Sequence, residues 1–294
     1  MIHSLDLNFL NIPQAIAAYL VETSDGPILI ESGPYSTYNN IKQAIRHTGV
    51  DPADIRHVLL THIHFDHAGA AWAFAEQGAT IYVHPVGAPH LMSPEKLWNS
   101  AQRIYGDEME RLWGEMRPIP AAQLYEVSHE EVLTFGDTRL TAYHTPGHAT
   151  HHIAYRLGNA LFTGDVGGVR ISGGLVEPPC PPPDINVEDW QASIELLKGL
   201  RAETLYLTHF GAVENPADHW DRLDKQLVNW ADWVRAKLAA GQSAEETVPQ
   251  FTAYVANQLR AQGATEEQIE QYEAANPSWM SVAGLMRYWK KRGQ

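Results

Sequence analysis

Nine consecutive residues, Thr61-His62-Ile63-His64-Phe65-Asp66-His67-Ala68-Gly69, carry three imidazoles and a carboxylate. Neutral imidazole and carboxylate are ligands for borderline and hard divalent metals. In extended chain, side chains alternate with period two, so His62 and His64 project to one side. A turn after them brings Asp66 and His67 round to a neighbouring point. The bland alternative is a polar loop with chance histidines. With 15 His in 294 residues, four ligands at this spacing argue against chance. The stretch reads as half of a metal site.

Such a motif needs rigid elements on either side. Residues 55–60 form an apolar run, Arg56 and His57 apart, and read as a buried strand; 68–76 reads as a helix. Three more loops offer the same chemistry just past a strand. Thr145-Pro146-Gly147-His148 follows 139–144, Thr163-Gly164-Asp165 follows 160–162, and Thr208-His209-Phe210-Gly211 follows 205–207. A lone His after a strand is ordinarily structural, but four loops all delivering His or Asp point to convergence. His151 and His152 come three and four residues after His148. They are expected near the site without being metal ligands. One reading gives them hydrogen-bonding and packing roles; the sharper one makes one an acid for a leaving group.

The rest of the chain supplies the frame. Apolar runs at 2–9, 15–22 and 28–30, with a turn at Ser24-Asp25-Gly26, read as an antiparallel meander. A helix over Ile41 and Ile45 ends at Gly49. After a strand at 80–84, residues 85–120 form an insert of one or two helices, opened by Ser93-Pro94-Glu95 and carrying Trp98, Tyr105 and Trp113. These aromatics are expected to wall the cleft over the metals, with local core as the alternative. Strands return at 124–127, 131–135, 139–144, 153–157 and 160–162. Asn186 caps a helix, 205–207 is the final expected strand, and the chain is then read as helical, with capping boxes at Ser243/Glu246 and Thr265/Gln268. The expected division is therefore 1–212 with the insert, and a helical extension over 213–294. The extension's Trp and Leu faces are too apolar to stay solvated, so they pack on the first part or form a homodimer.

Composition sets the class. Hydrophobic content of 44% and charged content of 19% suit a globular protein with a full core. No apolar run reaches the ~18 residues a membrane helix needs. The N-terminus lacks a basic region before an apolar one, and the single cysteine, Cys180, cannot form an internal disulfide; both fit a cytoplasmic setting. A net charge of −14 argues against nucleic acid as the main partner; a small-molecule substrate is expected.

The run His62-x-His64-x-Asp66-His67, followed in order by His148, Asp165 and His209, resembles the metallo-β-lactamase superfamily, nearest in motif to its glyoxalase II and lactonase branches. The resemblance spans about residues 3–212. It implies a four-layer αββα sandwich and two divalent metal ions, zinc first, with iron or manganese as alternatives. It puts His62, His64 and His148 on one metal, Asp66, His67 and His209 on the other, and Asp165 on both, with Asp66 also counted as catalytic. It implies that a hydroxide shared by the two metals attacks an ester, thioester or related bond. A phosphodiester is a further option. The alternative from another class is a persulfide dioxygenase holding one iron through His62 or its equivalent, His148 and Asp165. Asp165 stands where true β-lactamases carry a cysteine, which disfavours a β-lactam substrate. The tyrosine that known lactonases place soon after that Asp is missing. Where relatives have an Asp-Thr-Gly-like loop, this chain has Glu31-Ser32-Gly33, which makes Glu31 a candidate acceptor behind a ligand. Arg170, five residues past Asp165, is expected to reach the cavity and pair with an anionic substrate.

Overall fold

The computed structural model describes residues 1–293. Two six-stranded sheets face each other. The first contains β1 (Ile2–Asp6), β2 (Ala17–Val21), β3 (Ile28–Ile30), β4 (His57–Leu59), β5 (Thr80–Val83) and β6 (Leu124–Glu126), in that spatial order. Its first three strands are an antiparallel meander, and β3 to β6 run parallel. The second contains β7 (Val132–Phe135), β8 (Thr138–His144), β9 (Ile153–Leu157), β10 (Ala160–Phe162), β11 (Thr204–Leu207) and β12 (Gly211–Glu214), again in order. It is antiparallel except where β10 pairs with β11.

Burial pattern explains the layering. β2 and β3 are buried at every residue, as strands covered on both faces must be. Tyr19, Ile30, Leu59, Tyr155 and Phe162 fill the space between the sheets. The outer face of the first sheet packs under α1 (Tyr38–His47), α2 (Phe65–Ala68) and α3 (Ala71–Glu76) through Ile41, Ile45 and Phe74. The insert is α4 (Ala88–Met92), α5 (Glu95–Tyr105) and α6 (Met109–Trp113). The outer face of the second sheet packs under α7 (Val187–Gly199), whose N-cap Asn186 accepts a hydrogen bond from the Asp189 N–H. This is the expected αββα sandwich.

The C-terminal helices are α8 (Ala217–Ala239), α9 (Ala244–Ala261), α10 (Glu266–Ala275) and α11 (Ser278–Lys291). Trp220, Leu223, Trp230, Phe251 and Leu285 share one buried cluster with Leu205 and Trp190. The apolar faces that suggested dimerisation are thus covered within the chain. Both capping boxes form at the starts of α9 and α10. No helix among the described residues is long and apolar enough to cross a membrane.

Three expectations need correction. The helix over 68–76 is two short helices, broken at Gly69 and Ala70. The insert holds three helices, because Ser93-Pro94 and Gly106, at a positive φ of 55°, interrupt it. One strand, β12, is unexpected: it is a short edge strand beginning with glycine in which only Val213 is buried, so it carries almost no apolar signal. It crosses residue 212, so the sheet runs past the expected domain boundary. Gln294, at the end of the expected extension, lies outside the described residues.

Candidate metal centre

The ligands gather beyond the ends of β4, β8, β10 and β11. After β4 the chain bends at Thr61, and His64, with an extended backbone (φ −62°, ψ 153°), precedes the first turn of α2. That turn carries Asp66 and His67 inward. His62, His64 and His148 form one set, with His62 Nε2 2.8 Å and His148 Nε2 3.0 Å from His64 Nδ1. Asp66, His67, Asp165 and His209 form the second; the ligand atoms of each set lie within 4.8 Å of one another. Asp165 faces both sets. Its Oδ1 is 3.1 Å from His67 Nε2 and 3.3 Å from His209 Nε2, and its Oδ2 is 3.3 Å from His148 Nε2.

The far sides of the rings are tied down. His148 Nδ1 donates to the Pro179 carbonyl at 2.8 Å and His209 Nδ1 to the Ala15 carbonyl at 2.7 Å. His67 Nδ1 meets Glu31 Oε1 at 3.0 Å. A ring that gives its Nδ1 proton away leaves the Nε2 lone pair for a cation. Glu31 is fully buried, with φ 65°, and also receives the Thr61 hydroxyl and, at 3.3 Å, the Thr61 N–H. It therefore stands directly behind His67.

Three buried atoms, His67 Nε2, His209 Nε2 and Asp165 Oδ1, have no hydrogen-bond partner, and all three point at one place. Buried polar groups left unpaired are costly. A divalent cation would satisfy them together, and the nitrogen and oxygen donors suit zinc, iron or manganese. Electrostatics agree. Burial pushes His62, His64 and His148 down, His64 to about 4, so these rings are neutral. Burial also opposes charging of His67 and His209, but the carboxylates of Asp165 and Asp66, joined by Glu31 at His67, together outweigh it and raise both, His209 to about 10. The second set thus attracts positive charge.

The turn bearing Asp165 is clamped from two helices. Trp190 Nε1 of α7 donates to the Val166 carbonyl at 3.0 Å, and His219 Nε2 of α8 donates to the Gly167 carbonyl at 2.7 Å. Gly164 has φ 49°, and a Cβ there would come within 2.6 Å of His152 Nε2 and Thr61 Oγ1. His152 is fully buried behind this turn, bonded to Thr145 Oγ1 at 2.8 Å, and does not line the cavity. His151 does line it; its ring lies 5.8 Å from that of His64, and its Nδ1 is unpartnered.

The cavity over the ligands measures about 840 Å³. Tyr105 and Trp113 line it, whereas Trp98 turns away and packs against Phe65 at 6.0 Å. Arg170 is not in the cavity. Its guanidinium donates to the carbonyls of Gly173 and Gly174, because Gly168 (φ 76°) turns the chain away after Asp165 and the Arg170 N–H is held by the His209 carbonyl at 2.6 Å. Several lining residues went unforeseen, among them Phe9 and Leu10 before β2 and Glu273, Asn276, Trp279 and Met280 near the C-terminus. The Asn276-Pro277 helix start is visible in the sequence, but nothing there ties it to the metals.

Residues 12–209 match the sequence family described as the metallo-beta-lactamase superfamily. The chain is 25% identical over 216 residues to the metallo-beta-lactamase fold-containing protein ST1585 of Sulfurisphaera tokodaii, covering 72% of this chain and 79% of that one. It is 30% identical over 169 residues to the probable metallo-hydrolase YqgX of Bacillus subtilis, covering 54% and 72%. The solved structure of the metallo-beta-lactamase family protein TTHA1429 from Thermus thermophilus superposes with a TM-score of 0.71 at 18% identity, covering 99% of this chain and 94% of that one. The family match takes in well over half of the 294 residues, and all seven expected ligands fall into its two clusters: the chain belongs to the metallo-beta-lactamase superfamily.

Proposed function

We propose that this protein is a hydrolase that uses two divalent metal ions, zinc first, to split an ester, thioester or related bond of a small molecule. The observation that carries the reading is Asp165, which presents one oxygen to each ligand set. His62, His64 and His148 would hold one cation, Asp66, His67 and His209 the other, and Asp165 both. Bound there, two cations supply Lewis acidity toward a carbonyl oxygen and bring the pKa of a water close to neutrality.

The protein's own residues do the rest. Glu31, Pro179 and Ala15 fix the rings so that the ligand nitrogens need no rearrangement. A substrate seated against the apolar walls would displace water from around the reacting bond. His151 lines the cavity beside His64, with its Nδ1 buried and without a hydrogen-bond partner. Burial holds its pKa well below the usual range, and neighbouring cations would lower it further. A ring held neutral in this way suits packing beside the ligands better than protonating a leaving group. His151→Ala should slow good and poor leaving groups by the same factor.

The test is hydrolysis of neutral ester, thioester and phosphodiester panels by protein purified without added metal, with oxygen uptake followed in parallel. Ester or thioester turnover that is lost on chelation and restored by zinc supports the reading. One iron per chain, with oxygen consumed on a persulfide and no hydrolysis, would overturn it.

A further inference from the structure

Three distant parts of the chain wall the cavity: the segment between β1 and β2, the insert, and the link between α10 and α11. Several of the lining side chains are poorly covered. Val86 and Ile104 are 50% and 42% exposed, and both face this space. Trp279 and Met280 are half-buried. Opposite them, Tyr105 of the insert packs edge-on against Trp279 at 5.6 Å, and its hydroxyl contacts Met280 Sδ at 3.2 Å. Insert and C-terminal extension thus meet in a bridge beside the ligand cluster.

The cationic charge of this wall sits on exposed side chains. Among the described residues, the Lys and Arg side chains lining the cavity are Lys96 and Arg111; both are exposed, and Arg111 Nε is bonded to Glu108 at 2.6 Å. Carboxylates line it as well: Glu108, Asp184 and, near the end of α10, Glu273. Away from the metals, an anionic arm would lose its hydration and find no buried cation. An uncharged apolar arm would cover the open side chains and gain from it.

We infer that Trp279 and Met280 are specificity-determining residues, and that the substrate of the hydrolase proposed above, on which this assignment rests, is an ester or thioester with a large uncharged apolar arm lying against the Tyr105–Trp279–Met280 bridge. This replaces the small anion expected from Arg170.

Calorimetric titration of the metal-loaded protein with n-alkyl methyl ketones of increasing chain length reads binding without turnover. Each added methylene should tighten binding about fourfold until the cavity is filled, with an increasingly negative heat-capacity change. Met280→Trp should end the rise at a shorter chain, and Trp279→Ala should flatten it for the longest ketones, with melting curves checking that both variants fold. In wild type, kcat/KM for p-nitrophenyl esters from acetate to dodecanoate should follow the same trend. Chain-length-independent ketone binding in the wild type overturns the assignment, while ester turnover still tests the hydrolase reading separately. Rising ketone affinity without turnover of either esters or the matching thioesters supports the apolar site and defeats the hydrolase. A rise unchanged in both variants removes Trp279 and Met280 as its cause.

Discussion

Glu177→Gln should stabilise the protein at alkaline pH and scarcely at all in mild acid. Glu177 is 1% exposed. One oxygen accepts from Asn276 Nδ2 at 3.3 Å and the other has no partner. Burial, opposed by the Asn276 hydrogen bond and aided by Glu273, pushes the carboxyl from 4.5 up to about 8. Below about 4.5 both folded and unfolded chains hold the proton, and the group imposes no penalty. Between 4.5 and about 8 the unfolded chain releases its proton while the folded one keeps it, so stability falls as pH rises; above about 8 the loss is complete. At ~1.4 kcal/mol per pH unit the full loss is at most ~5 kcal/mol, and relaxation of the site would bring it to roughly 2–4 kcal/mol. Glutamine keeps the shape and the Asn276 bond but cannot ionise. Urea unfolding of both proteins with metal saturated, at about pH 5 and about pH 9, measures the difference directly. The variant's advantage should grow by that amount between the two. An advantage that stays constant with pH would refute the reasoning.

Glu31→Gln removes the negative charge behind His67 and should weaken binding of the second metal about 10–100-fold, read by competition with a chelating dye; unchanged affinity would reduce Glu31 to a packing role. Gly164→Ala forces a side chain into a left-handed turn against His152 and Thr61. It should cost metal content and activity together, and an active, fully loaded variant would contradict the placement of Asp165. Arg170→Ala should leave KM for anionic and neutral esters alike within about twofold of wild type. Light scattering should find a monomer, since Trp220, Leu223 and Trp230 are covered within the chain; a stable dimer would have to use a different surface.

The metal centre was legible because its signals are local. His62 and His64 share a face by the period of extended chain, and each of the other loops places a His or Asp next to residues that permit a tight turn. Most strands were legible from short apolar runs separated by turns, whereas their arrangement as a sandwich came from the resemblance carried by the ligand motif. The cavity walls were not. Trp279 meets Tyr105 across about 170 positions, and neither residue's neighbours encode that meeting. Arg170 failed for the complementary reason: closeness to Asp165 in sequence says nothing of direction once Gly168 turns the chain. β12 was lost because Gly211, Ala212 and Glu214 bury too little to mark a strand. His219 was passed over within an apolar helix pattern, although its bond to the Gly167 carbonyl steadies the turn of Asp165.

The central claim is that two cations share Asp165. Anomalous scattering from crystals of the protein, purified without chelator, tests it most directly. The account predicts two peaks, one bounded by His62, His64 and His148, the other by Asp66, His67 and His209, both at ~2.0–2.2 Å from oxygens of Asp165. A single peak, persisting after the crystals are soaked in excess zinc, would contradict it.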